Sequence, residues 1–120
     1  MMFPIIFDAV TANAKQTESE YRAKLTLGLD KFISHIDKYG KVGSVFIYLD
    51  NEKRIEFFMQ TPLHCLKSKP MTCYIGIKEQ GNAVVLRTNE IELSMHNYAA
   101  QLKREVSKFY ADTADMVIKE

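Results

Sequence analysis

With 120 residues, 47% hydrophobic and 26% charged, the chain has ordinary globular composition, which excludes a disordered or low-complexity chain, and its length fits one domain over residues 1–120. Sixteen basic residues against fifteen acidic ones leave a net charge of +1, without the basic excess that a duplex-DNA binder spends on phosphates. Two cysteines without an export signal point to free thiols in a reducing cytoplasm, and the opening run MMFPIIF is too short to span a bilayer and has no basic leader or A-x-A-like cleavage site.

Residues 1–12 form an apolar lead in which Pro4 excludes a helix interior or a central strand, so a short segment covering one end of the core is expected. Over residues 13–39, Ala14, Thr17, Tyr21, Leu25, Leu29, Phe32, Ile36 and Tyr39 recur at three- and four-residue steps, the apolar stripe of a helix. Lys15, Glu18, Arg22, Lys24, Lys31 and Lys38 fall mostly elsewhere and are expected in solvent. Gly28 inside the stripe marks a kink or a close crossing, and Gly40 and Gly43 end the helix.

SVFIYL (Ser44–Leu49) and RIEFFMQ (Arg54–Gln60) flank the turn DNEK and read as a hairpin. MTCYIGIK (Met71–Lys78) and AVVLRT (Ala83–Thr88) flank EQGN, where Gly81 is free to take positive φ. Short connections within each pair imply antiparallel neighbours, and a meander is the simplest way to join them. After NEIEL comes a second helix, Ser94 to Lys119, with Ser94 as the expected N-cap. Met95, Ala99, Leu102, Val106, Phe109, Thr113 and Met116 make a short heptad-like seam, which suits a helix lying on the sheet better than a coiled-coil arm. The expected fold is α+β: a four-stranded antiparallel meander sheet flanked in sequence by an N-terminal and a C-terminal helix, in the order α-β-β-β-β-α.

Alternation along the strands separates two faces. One collects Val45, Ile47, Leu49, Ile55, Phe57, Met59, Cys73, Ile75, Ile77, Val84 and Leu86, all apolar, and is assigned to the core. The other collects Ser44, Phe46, Tyr48, Arg54, Glu56, Phe58, Gln60, Thr72, Tyr74, Lys78, Val85 and Arg87, in which four rings are interleaved with polar and charged groups. Three arrangements compete for it. One helix could cover each face. Both helices could share the apolar face, leaving the rings to meet another protein or a second copy of the chain. Or the rings could stack the bases of a single nucleic-acid strand, with Arg54, Lys78 and Arg87 near its phosphates. Glu56 among the rings and the balanced charge weigh against the last.

The segment TPLHCLKSKPMTC holds both cysteines and two prolines. The spacing H-C-x7-C lacks the close cysteine pair of a structural zinc site, so no metal is expected. Cys73 falls on the apolar face and reads as a small buried hydrophobe. Cys65 with His64 or His96 is the thiol-enzyme reading, although adjacent residues seldom reach dyad geometry. Lys67 and Lys69 make a basic, proline-stiffened tip that suits an acidic partner, or only a solvated connection. Phosphate-binding Gly-rich loops, G-x-G-x-x-G, H-E-x-x-H and G-x-S-x-G are absent from the sequence. The expectation is therefore a small cytoplasmic interaction protein, an adaptor, inhibitor or regulator. It has no catalytic residues and no cofactor, and its partner is another protein or a second copy in a homodimer. The contacts are expected from Phe46, Tyr48, Phe58, Tyr74, Arg54, Lys78, Arg87, Lys67 and Lys69. Single-stranded nucleic acid on the same face is the alternative partner, a cysteine-dependent enzyme is the remaining reading, and no membrane is involved.

Overall fold

A computed structural model describes residues 17–38, 42–49, 52–61, 71–79 and 84–118, excepting the side chains of Thr61 and Val85. The apolar lead, Ala14, Tyr39, Gly40, Asp50, Gly81, Ala83 and the loop carrying His64, Cys65, Lys67 and Lys69 lie outside the described residues.

Helix α1 covers Glu18–Lys38. It starts at Thr17, which is a cap and not a member of the apolar stripe. The Thr17 hydroxyl accepts from the Glu20 amide at 3.1 Å, and the Glu20 carboxylate accepts from the Thr17 amide at 3.2 Å. This reciprocal capping box satisfies two amides that the first turn leaves without helical partners. Tyr21, Leu25, Leu29, Phe32 and Ile36 are buried as the periodicity requires. Gly28 marks a close crossing: a Cβ there would run into the Phe57 ring and come within 3.2 Å of Ile47 Cγ1. Lys24 departs from expectation. It is 2% exposed, because its ammonium reaches past the stripe to donate to the Leu49 carbonyl at 3.3 Å.

The sheet comprises β1 (Gly43–Tyr48), β2 (Lys53–Thr61), β3 (Met71–Glu79), β4 (Val84–Arg87) and β5 (Ile91–Leu93), all paired antiparallel. β1 to β4 form the meander in chain order, and Gly43 opens β1. The segment NEIEL contributes an unexpected strand, with Met71 opposite Leu93 and Cys73 opposite Ile91. β4 and β5 thus run one after the other along the same edge of β3. At their junction Thr88 donates its amide to the Ile75 carbonyl at 2.8 Å, and its hydroxyl accepts from the Ile75 amide at 3.2 Å, which keeps β3 satisfied across the break. A register shift in β4 sets Leu86 opposite Ile77 but Val84 opposite Lys78. The extra residue turns Val84 off the core face, where alternation had placed it, and leaves it 47% exposed.

Helix α2 covers Tyr98–Val117. Its N-cap is Asn97, not Ser94, and Asn97 makes no side-chain cap bond. The entry is held instead by Gln101, whose amide donates to the Glu92 carbonyl at 3.1 Å and accepts from the Ser94 amide at 2.7 Å. Of the expected seam, Leu102, Val106, Phe109 and Thr113 are buried, while Met95, Ala99 and Met116 are exposed, so the apolar row ends with the helix–sheet contact. Thr113 donates back to the Phe109 carbonyl at 2.7 Å and accepts from the Tyr21 hydroxyl, which ties α2 to α1. A second tie runs from the Tyr98 hydroxyl to the Asp37 carboxylate. The buried residues of both helices join those of the odd-numbered strand face in one core cluster, with Phe32 and Phe57 ring centroids 5.6 Å apart. Both helices therefore lie on the same side of the sheet.

Candidate interaction surface

Strand register turns the alternation into a map of the opposite face. One row runs across the strands as Tyr48, Arg54, Lys78 and Val84, and the next as Phe46, Glu56, Gly76 and Arg87. A third holds Ser44, Phe58 and Tyr74. Beyond a bulge at Gln60, Thr72 stands opposite Glu92. Among the described residues no helix or strand lies over these rows.

Glu56 organises the face. It is 2% exposed, and one carboxylate oxygen accepts the Tyr74 hydroxyl at 2.9 Å and stands 3.0 Å from the Lys78 ammonium. The other oxygen accepts the Ser44 hydroxyl at 3.0 Å. Gly76 lies directly opposite Glu56, between Tyr74 and Lys78 on the same strand. A Cβ at Gly76 would meet Arg87 Cβ and the Leu86 carbonyl oxygen, each at 3.0 Å. A buried charge persists only when paired and hydrogen-bonded, and Glu56 meets both conditions.

The rings surround this centre. Phe58 and Tyr74 are cross-strand partners with centroids 5.2 Å apart at 52°, a tilted pair of the favoured kind. The Arg54 guanidinium sits 4.9 Å from the Phe46 centroid and donates to the Glu79 carbonyl at 3.2 Å. The Arg87 guanidinium lies 4.3 Å above Tyr74. Burial and the bond to Glu56 push the Tyr74 hydroxyl up to about 12, against the opposing pull of Arg87, so it remains a proton donor at neutral pH.

Accessibility divides the expected contact residues. Phe46, Tyr48, Arg54, Phe58 and Lys78 are half-buried and Arg87 is exposed, so all can be touched from outside. Tyr74 is only 7% exposed and belongs to the floor of the face. Lys67 and Lys69 lie outside the described residues. Val84, expected in the core, joins the face at its β4 edge, and Val42, exposed just before β1, stands at the other. Glu56 was visible from sequence as a lone acid among rings. Its role as a hub was not, because that depends on Ser44, Tyr74 and Lys78 converging on it from the neighbouring strands.

The remaining candidates for chemistry separate from this surface. Cys73 is buried in the core, and burial, with Glu105 adding to it, pushes its thiol up to about 12, so it stays protonated and a poor nucleophile. His64 and Cys65 lie outside the described residues, and His96 is exposed in the turn before α2. Among the described residues no group of three or more His, Cys, Asp or Glu could hold a metal ion, and no helix is long and apolar enough to cross a membrane. A polar groove of about 550 Å³ runs between the β4–β5 edge and α2, lined by Arg87, Arg104 and Lys108 together with Glu90, Glu92, Glu105 and Asp112. Its mixed charge favours neither anion nor cation. Comparison with protein-family models, with curated proteins and with solved structures finds no match to this chain.

Proposed function

We propose that this chain is a small cytosolic interaction protein, an adaptor, inhibitor or regulator, which binds another protein through the ring-bearing sheet face. The observation that carries this reading is the placement of both helices on one side of the sheet, which leaves Phe46, Tyr48 and Phe58 accessible on the other. A face of aromatic and arginine side chains around a satisfied, desolvated centre has the make-up of an interface core. Phe58 is the anchor residue, with Phe46 and Tyr48 beside it. Arg54 and Arg87 add directional polar contacts, and Lys67 and Lys69 would extend the site if their loop borders it.

The test compares capture of a protein partner by the wild type, by Phe58→Glu and by the exposed helix control Lys103→Glu. The expected result is one identified protein, bound in a fixed ratio, retained by wild type and control at low and high salt, and lost from Phe58→Glu. Equal retention by Phe58→Glu would dispose of the reading.

A second reading, single-stranded nucleic acid on the same rings, draws on the cation–ring pairs, since bases and guanidinium groups stack on rings in a similar way. It draws less support from the charges, because Lys78 is already paired with Glu56. It requires oligonucleotide affinity that falls steeply with salt.

A further inference from the structure

The same face has a size and a charge distribution that identify one occupant. The strands, of 6, 9, 9, 4 and 3 residues, at about 3.3 Å per residue and about 4.8 Å apart give a flat footprint of roughly 500 Å², and accessible area over corrugated side chains exceeds the footprint. That approaches the ~800 Å² per partner buried in a standard stable interface. The charge is graded along the strands. Arg54 and Lys78 share one end row with the exposed apolar Val84, whereas the far end carries Thr72 and the exposed Glu92.

Two sheets that pack with their strands aligned meet face to face about a two-fold axis in the contact plane that runs close to the strands or across them. An axis along the strands sets each row on its own copy, so Arg54 of one chain meets Lys78 of the other, twice over, and Lys78, already paired with Glu56, offers Arg54 no acid. An axis across the strands sets the Arg54–Lys78 row over the Thr72–Glu92 row, so the basic end of each copy meets the end carrying the exposed acid. The middle rows exchange as well. Phe58, which stands out of the face, then meets the position of Glu56, which is buried in its floor. Lys78 likewise meets buried Thr72. At these two positions a protruding group faces a recessed one, and no like-charged pair is opposed.

We propose that the occupant of the face is a second copy of this chain, related by a two-fold axis lying across the strands. The proposal rests on the reading of the face as an interaction surface and names the partner. A hetero-partner would then compete with self-association for Phe46 and Phe58.

The test uses the full chain with Cys65→Ser, leaving the buried Cys73 thiol inert, and adds Val42→Cys and Tyr48→Cys, which the axis across the strands sets opposite each other and which leave every charge of the face in place. Within one chain these sit about 20 Å apart, since they are six positions apart along β1 and the residue before it at ~3.3 Å each. A bis-maleimide with a spacer of about 10 Å, a length set by the ~10 Å between stacked sheets, cannot bridge them within a chain. Light scattering should give twice the 13.8 kDa chain mass. The reagent should yield a covalent dimer from the double variant, and Phe58→Glu should weaken the dimer at least tenfold. A dimer by mass with no covalent product overturns the axis. A monomer at all accessible concentrations overturns the occupant, and partner capture by Phe58→Glu then tests the face itself independently.

Discussion

The Lys78 ammonium stands 3.0 Å from the Glu56 carboxylate in a face that has no helix over it among the described residues. A pair of this kind is costly to desolvate and costlier to break, because the remaining charge is left without its partner. Glu56→Gln removes the charge but keeps the shape. Since Lys78 retains some solvent, the expected loss is about 1–3 kcal/mol and not the full buried-pair value. Urea unfolding measures it, and Glu56→Gln combined with Lys78→Met should lose less than the sum of the two single variants. Additive losses would mean that the pair is not coupled.

Gly28→Ala tests the close crossing of α1 over the sheet. Alanine gains about 1 kcal/mol of helix propensity, while forcing a methyl group into a filled core costs about 1–3 kcal/mol. The Phe57 ring and Ile47 leave no room at this position, so the expected net effect is destabilisation. A thermal midpoint at or above that of the wild type would show that the helix can move outward at no cost.

High pH should unfold the protein before all its tyrosines titrate normally. Burial holds the Tyr21 and Tyr74 hydroxyls at about 12 against an ordinary value of 10.0, and the Cys73 thiol at about 12 against 9.0. Below pH 9 these groups are protonated in both the folded and the unfolded chain, so their contribution is fully present. As pH rises from 9 towards 12 the unfolded chain releases protons that the folded chain keeps, and stability falls throughout that window. Tyrosinate absorbance and circular dichroism should show the late tyrosines ionising together with loss of structure. Tyr74→Phe should shrink the stability loss above pH 10. Ionisation of all tyrosines near 10 in the folded state would contradict these environments.

Thr113→Val should cost more than Tyr21→Phe. The first leaves the Tyr21 hydroxyl buried without its acceptor, at about 1–3 kcal/mol. The second leaves Thr113 still bonded to the Phe109 carbonyl and forfeits only about 0.5–1.5 kcal/mol. Denaturant midpoints for the two variants decide the order.

Much of this architecture is legible in the sequence because alternation and helical spacing are local signals. The helices, the four strands of the meander and the division of Ile47, Ile55, Phe57 and Ile75 from Phe46, Phe58 and Tyr74 follow from them directly. The departures arise where a non-local partner or an extra residue intervenes. Val84 changes face because of a bulge. Ile91–Leu93 is too short to announce itself as a strand and exists because β3 is longer than β4 and has a free edge to offer. Lys24 is buried because the Leu49 carbonyl happens to lie within reach. Tyr74 reads as a surface ring by parity, yet Phe58, Arg87 and Glu56 close around it. A glutamate at Tyr74 would be set beside Glu56 in the floor, so Phe58 and Phe46, not Tyr74, are the positions at which to probe contact without unfolding.

The most direct measurement is the mass of Phe58→Glu beside that of the wild type, taken with the unfolding midpoint of each. An open sheet face that binds a second chain requires a dimeric wild type and a monomeric variant whose midpoint is close to that of the wild type diluted until it dissociates. A variant that unfolds along with losing its mass would mean that Phe58 is held inside the protein, and the face was never open.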